Sequence, residues 1–143
     1  MPSWCENDLI VRGDKEELKK FEDFVAGNDE DGEAKAFTYM KVIPRPKEED
    51  KNWYAWNSTN WGCKWDVTDA TFERKRSSLF YTFCSPWSPP VPVIRKLGTL
   101  FPKLYIRLEY FEGGVGYSGR LVYDKGVEVE DSYNNSYRGG RGG

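Results

Sequence analysis

Trp53, Tyr54, Trp56, Trp61 and Trp65 fall within one short stretch, Asn52–Asp66, and Trp87 follows in Ser85-Pro86-Trp87-Ser88-Pro89-Pro90. Aromatic rings of this kind stack on bases or grip a partner's side chains, and each indole N–H needs an acceptor once it is buried. Asn57, Asn60, Lys64 and Asp66 are interleaved with them. The chemistry on offer is recognition, with Asn60 and Asp66 as hydrogen-bonding groups and Lys64 as the cation that meets an anion. The opposing reading is a structural plug, in which the rings cover a sheet face and Asn and Asp satisfy turn backbones. Trp87 likewise reads either as part of a recognition loop or as a residue packed at the start of a helix.

Residues for catalysis are scarce. The chain contains no histidine. That removes Ser-His-Asp and Cys-His mechanisms, His-ligated zinc and imidazole bases. Its three cysteines, Cys5, Cys63 and Cys84, form no Cys-x-x-Cys pair, and they read as reduced thiols packed as small apolar groups. Glu109, Glu112, Asp124, Glu128 and Glu130 mostly alternate with apolar residues, which points to a solvated strand face rather than a metal or acid–base site. Gly113–Gly119, which contains Tyr117, offers bare backbone N–H groups to a phosphate or RNA backbone, or else forms a bulged hairpin connection. We expect no catalytic residue, no cofactor and no metal.

The elements that position these residues follow from periodicity. Asn7–Arg12 reads as a strand closed by Gly13. Asp14 then caps a helix in which Leu18, Phe21, Phe24 and Val25 share one face, with Gly27 as its stop. Asn28–Lys35 reads as an acidic mobile loop, Phe37–Ile43 as a strand, and Asn52–Asn60 as a short helix or a tight irregular segment, broken at Gly62. Lys64–Glu73 and Leu79–Cys84 form a hairpin. Ser88 caps a second helix carrying Ile94, Leu97 and Phe101, which Pro102 stops. Leu104, Ile106, Leu108 and Tyr110 then alternate with Tyr105, Arg107, Glu109 and Phe111 in a strand with one buried face. Arg120–Asp124 and Val127–Glu130 are the last strand candidates.

The order β-α-β-β-α-β defines the fold class: α+β, a ferredoxin-like split βαβ. It has an antiparallel sheet, two helices on one face and a Trp-rich insertion. At 143 residues with a net charge of −2, the chain is sized for one domain, residues 1–131, followed by a disordered Gly/Arg tail, residues 132–143. The tail is a short RGG-like segment of a kind that binds RNA. The pI of about 5.3 argues against strong non-specific nucleic-acid binding. No apolar run has the length of a membrane span and the start lacks a signal-peptide pattern, so the expected location is the cytoplasm.

Several motifs are distinctive in combination. They are Met1-Pro-Ser-Trp-Cys-Glu-Asn-Asp-Leu, Asn52-Trp-Tyr-Ala-Trp-Asn57, Asn60-Trp-Gly-Cys-Lys-Trp-Asp66, Trp87-Ser-Pro-Pro90, Tyr110-Phe-Glu112 and Gly116-Tyr-Ser-Gly119. Together they resemble the YubB-type ferredoxin-like family of small phage and plasmid proteins. The resemblance implies the same fold and an origin on a mobile element, and it carries over no catalytic residue. With the aromatic excess, it leads us to expect a non-enzymatic interaction protein in the host cytoplasm. Its partner would be a host protein, such as a nucleic-acid-handling defence effector inhibited in the manner of an anti-CRISPR. The interaction residues would be Trp53, Tyr54, Trp56, Asn60, Trp61, Lys64, Trp65, Asp66, Trp87 and Tyr117. The alternative is a nucleic-acid or nucleotide-binding module in which Tyr81, Tyr105, Arg107 and the Trp cluster stack bases.

Overall fold

A computed structural model describes residues 3–29 and 31–135 of the chain. Its frame is a six-stranded, wholly antiparallel sheet. In chain order come β1 (Trp4–Arg12), α1 (Lys15–Val25), the short strands β2 (Gly27–Asn28) and β3 (Ala34–Lys35), and α2 (Tyr39–Val42). A 3₁₀ turn (Lys47–Asn52) leads into α3 (Trp53–Asn60). Then follow β4 (Thr68–Arg74), β5 (Ser78–Pro86), α4 (Val91–Leu100), β6 (Tyr105–Glu112), β7 (Tyr117–Asp124) and β8 (Val127–Asn134). The sheet order β4-β5-β1-β6-β7-β8 places β1 at the centre, paired with β5 on one side and β6 on the other. Its first four strands have the split βαβ order expected from sequence, and the β6-β7-β8 meander extends it.

One sheet face is the core. Cys5, Leu9 and Val11 of β1, Leu79, Tyr81 and Phe83 of β5, and Ile106 and Leu108 of β6 alternate inward and are buried. Helix α1 sits on that face through Leu18, Phe21 and Val25, with the Phe21 ring 6.1 Å from that of Tyr81. Asp14 caps it as expected, its side chain accepting from the Glu17 N–H at 3.0 Å. The expected stop at Gly27 is displaced: Ala26 takes the C-cap position and Gly27 opens β2. A side chain at Gly27 would press on Lys41 and Thr38, each 3.0 Å away, so this glycine permits close approach to α2. Helix α4 packs through Val93, Ile94, Leu97 and Gly98.

Several elements depart from the sequence reading. Phe37–Ile43 is not a strand, since Tyr39–Val42 is helical and Phe37 and Tyr39 are core residues. The acidic segment after Gly27 is a small hairpin, in which the Asp29 carboxylate accepts from the Asp31 and Glu33 N–H groups. Strand β4 begins only at Thr68, because Asp66 turns back to accept from Val67 N–H at 2.7 Å. Ser88 caps nothing. The N-cap is Pro90, and the Ser88 hydroxyl instead donates to the Gly62 carbonyl. Strand β8 runs through Ser132, Tyr133 and Asn134, past the boundary expected after Asp131. Residues 136–143 of the expected tail lie outside the described residues.

The seat of α4 on the sheet yields a test. A methyl group at Gly98 would overlap the Tyr123 ring of β7. Alanine gains about 1 kcal/mol of helix propensity over glycine, while overpacking costs about 1–3 kcal/mol. Gly98→Ala should therefore lower the unfolding free energy measured in urea despite making a better helix former.

Candidate interaction site

Residues 27–67 fold into a Trp-rich insertion beside the sheet, and a cavity of about 790 Å³ opens within it. The β2–β3 hairpin contributes Asn28, Asp29, Asp31 and Lys35 to its wall, and the other side is formed by Met40, Arg45, Asp50, Trp53, Asn57, Trp61, Trp65 and Asp66.

Hydrogen bonds fix this wall. The Trp61 indole donates to the Ile43 carbonyl at 2.9 Å, and its ring packs edge-on against Tyr39 and Trp56. Asn57, 2% exposed, donates to the Lys64 carbonyl at 2.8 Å and accepts from Arg45 at 2.9 Å. The Arg45 guanidinium also pairs with Asp50 at 3.0 Å and lies 5.8 Å from the Trp61 ring centre. Both Asp66 oxygens point into backbone: one accepts from Tyr39 N–H at 2.6 Å and from Val67 N–H, the other from Met40 N–H at 3.2 Å. Burial holds the Asp66 carboxyl above its ordinary value, outweighing those N–H groups and Arg45, which pull it down.

The expected site residues therefore divide. Trp61 is a core residue at 1% exposure, and Asp66 ties α2 to the start of β4. Asn60 donates to the Trp56 carbonyl, and Trp65 donates to Thr68 Oγ1 while packing on Trp4. These residues build the scaffold. Trp53 and Tyr54 are exposed with their rings 5.8 Å apart, and the Lys64 ammonium sits 5.1 Å from both the Tyr54 and Trp65 rings. Those groups are available at the surface.

Trp87 is not packed at the helix start. It is 51% exposed, with a backbone φ of 70°. That left-handed conformation is an outlier for a bulky residue. Neighbours hold it on both sides: its N–H donates to the Ser3 carbonyl at 2.8 Å, and the Tyr117 hydroxyl donates to its carbonyl. Tyr117 is itself buried and stacks on Tyr133, so it supports the loop and offers little surface.

Other candidates are already spent. In the Gly113–Gly119 turn, the N–H groups of Gly114 and Val115 donate to the Glu112 carboxylate at 2.6 Å, so an internal anion occupies the place an external one would take. Glu109 and Glu130 both pair with Arg120, and Glu128 pairs with Arg95. Among the described residues no His, Cys, Asp and Glu side chains cluster as a metal site. The base-stacking face does not form as expected. Tyr81 is buried on the helix side of the sheet, while Tyr105 and Arg107 alternate onto the other side. Arg45 and Asp50 are cavity residues outside the expected site, and Asp31 comes from the acidic segment that was expected to be a mobile loop. The Pro44-Arg45-Pro46 run, a cation pinned between two rigid residues, was the available signal.

A family model described as the ferredoxin-like domain in Api92-like protein matches residues 60–138, more than half of the chain. The chain belongs to this family. The crystal structure of protein api92 from Yersinia pseudotuberculosis superposes with a TM-score of 0.77 over 100% of each chain, at 14% identity. At that identity the likeness is one of fold. No curated protein matches. The family match spans β4 to β8 together with Trp61, Trp65 and Asp66, whereas the hairpin and Arg45 side of the cavity precedes it. Among the described residues no helix is long and apolar enough to cross a membrane.

Two measurements check this site. Burial pushes the Cys5 and Cys63 thiols up to about 12, and Cys84 is the less buried of the three. Ellman's reagent should label Cys84 first in the native protein and reach the other two only on unfolding. The raised carboxyl of Asp66 gives the second. Its contribution to stability is complete below the ordinary value of 3.8 and fades as pH rises through the higher folded value. Wild type should thus gain stability relative to Asp66→Asn as pH falls across that window. A constant gap between their urea unfolding curves would contradict it.

Proposed function

We propose that the chain is a non-enzymatic binding protein that captures a protein partner, with Trp87 as its central anchor. The observation that carries this reading is the combination of strain and exposure at one residue. A left-handed backbone favours glycine, and a residue held there costs about 1–3 kcal/mol. A half-exposed position has no need of an indole, yet Trp87 carries both burdens and is braced by Ser3 and Tyr117. Exposed Trp and Tyr are the side chains that dominate binding energy at protein interfaces. Tyr133 and Val115, also exposed, flank the Tyr117 brace in the β6–β7–β8 meander. The absence of histidine and the buried, protonated Cys5 and Cys63 thiols support a holding role over a catalytic one.

The finer form of the proposal is a mobile-element protein that inhibits a defence effector of its host cell. It draws support from the resemblance of the Asn60–Asp66 and Trp87–Pro90 motifs to small phage and plasmid proteins.

The test compares Trp87→Ala and Trp87→Gly. Glycine relieves the backbone strain and alanine does not, so the Gly variant should be the more stable by about 1 kcal/mol in urea. A partner captured from host lysate by wild type should be lost equally from both, and retained by Lys19→Ala on the exposed side of α1. Equal capture by all four proteins would refute the anchor. A retained partner with no role in defence, together with unchanged phage plating, would remove the finer form.

A further inference from the structure

The cavity in the insertion carries a charge imbalance. Among the described residues four carboxylates, Asp29, Asp31, Asp50 and Asp66, line it against two cations, Lys35 and Arg45. Lys35 pairs with Asp29 at 3.7 Å and Arg45 with Asp50 at 3.0 Å. Asp31 has no ion pair among the described residues, while Asp66 spends its oxygens on backbone N–H groups and feels Arg45 only at longer range. The N–H groups that Asp66 accepts orient its charge and do not cancel it.

The walls are aromatic as well as acidic. Trp53, 41% exposed, lines the same cavity, and among the described residues its ring meets only that of Tyr54. The molecule already shows what this lining accepts. Arg45 places its guanidinium over the Trp61 ring with its Nε on the Asp50 carboxylate, a planar cation held between an indole and an acid. Trp53 and Asp31 offer a second set of the same two groups in a space of about 790 Å³ that the described side chains leave open.

We infer that this cavity binds an arginine side chain presented by a segment of a partner protein, with the guanidinium against Trp53 and the charge met by Asp31. Guanidinium is favoured over ammonium because it is planar, weakly hydrated and able to stack on an indole while donating to a carboxylate. An anionic ligand such as a nucleotide phosphate would face Asp31, with Arg45 and Lys35 already engaged by Asp50 and Asp29. The inference rests on the cavity and stands apart from the role of Trp87.

The test titrates the full-length protein with an end-blocked tri-arginine peptide while following indole N–H resonances. Tri-lysine, tri-glutamate and adenosine monophosphate serve as comparisons. Saturable binding of tri-arginine, tighter than tri-lysine and weakened by salt, is expected. Trp53→Ala and Asp31→Asn, both at exposed positions, should each reduce affinity about threefold to tenfold, and Lys19→Ala, outside the cavity on α1, should leave it unchanged. Binding unaffected by the Trp53 and Asp31 substitutions, tri-lysine as tight as tri-arginine, a preference for tri-glutamate or the nucleotide, or no response to any probe would each overturn the inference.

Discussion

The Asp66 carboxylate is the contact on which the insertion depends. It reaches back from just before β4 to receive the N–H groups of Tyr39 and Met40, and it closes its own turn on Val67. Without an acceptor there, the first turn of α2 would have unpaired backbone donors beside a buried aromatic core. Because α2 is held, Ile43 can receive the Trp61 indole and Arg45 can lie along the wall onto Asn57. A partly buried charge is an expensive choice of acceptor, as the raised carboxyl shows. What it brings is geometry: two oxygens take three donors, which a single amide oxygen does less well.

The two exposed aromatic sites stand on this scaffold for different reasons. Trp53 and Tyr54 belong to the first turn of α3, whose burial rests on Asn57 rather than on an apolar stripe. Trp87 belongs to the link between β5 and α4, where β-sheet geometry gives way to helix through a strained residue. The Ser88 hydroxyl on the Gly62 carbonyl joins that link to the insertion, so the two regions share one frame.

Local signals in the sequence were legible wherever they matched the tertiary outcome. The 3.6-residue spacing of Leu18, Phe21 and Val25 and the alternation of Leu104 to Tyr110 both describe faces that meet the core. The short helix from Trp53 was likewise readable. Failures arose where a distant group decided the backbone. Phe37–Ile43 has strand composition, but its N–H groups go to Asp66, more than twenty residues on. Ser88 resembles a cap, but Pro89 and Pro90 have no N–H to donate to it, the Val91 N–H goes to the Pro89 carbonyl, and the hydroxyl donates to Gly62 instead. For the candidate site, the indoles could be named but not sorted. Trp61 and Trp53 lie in one motif-rich stretch, and their opposite fates are set by packing against Tyr39 and Ile43, which pattern alone does not reveal.

The central place of β1 also bears on how the chain is made. Its two neighbours, β5 and β6, come from the middle and the later part of the sequence. A ribosome adding about 5–20 residues per second would make β1 several seconds before Tyr105–Glu112 emerges. During that wait β1 can pair with β5, but its other edge has no ladder. Closing this sheet is therefore a late event, set by contacts between segments far apart in the sequence.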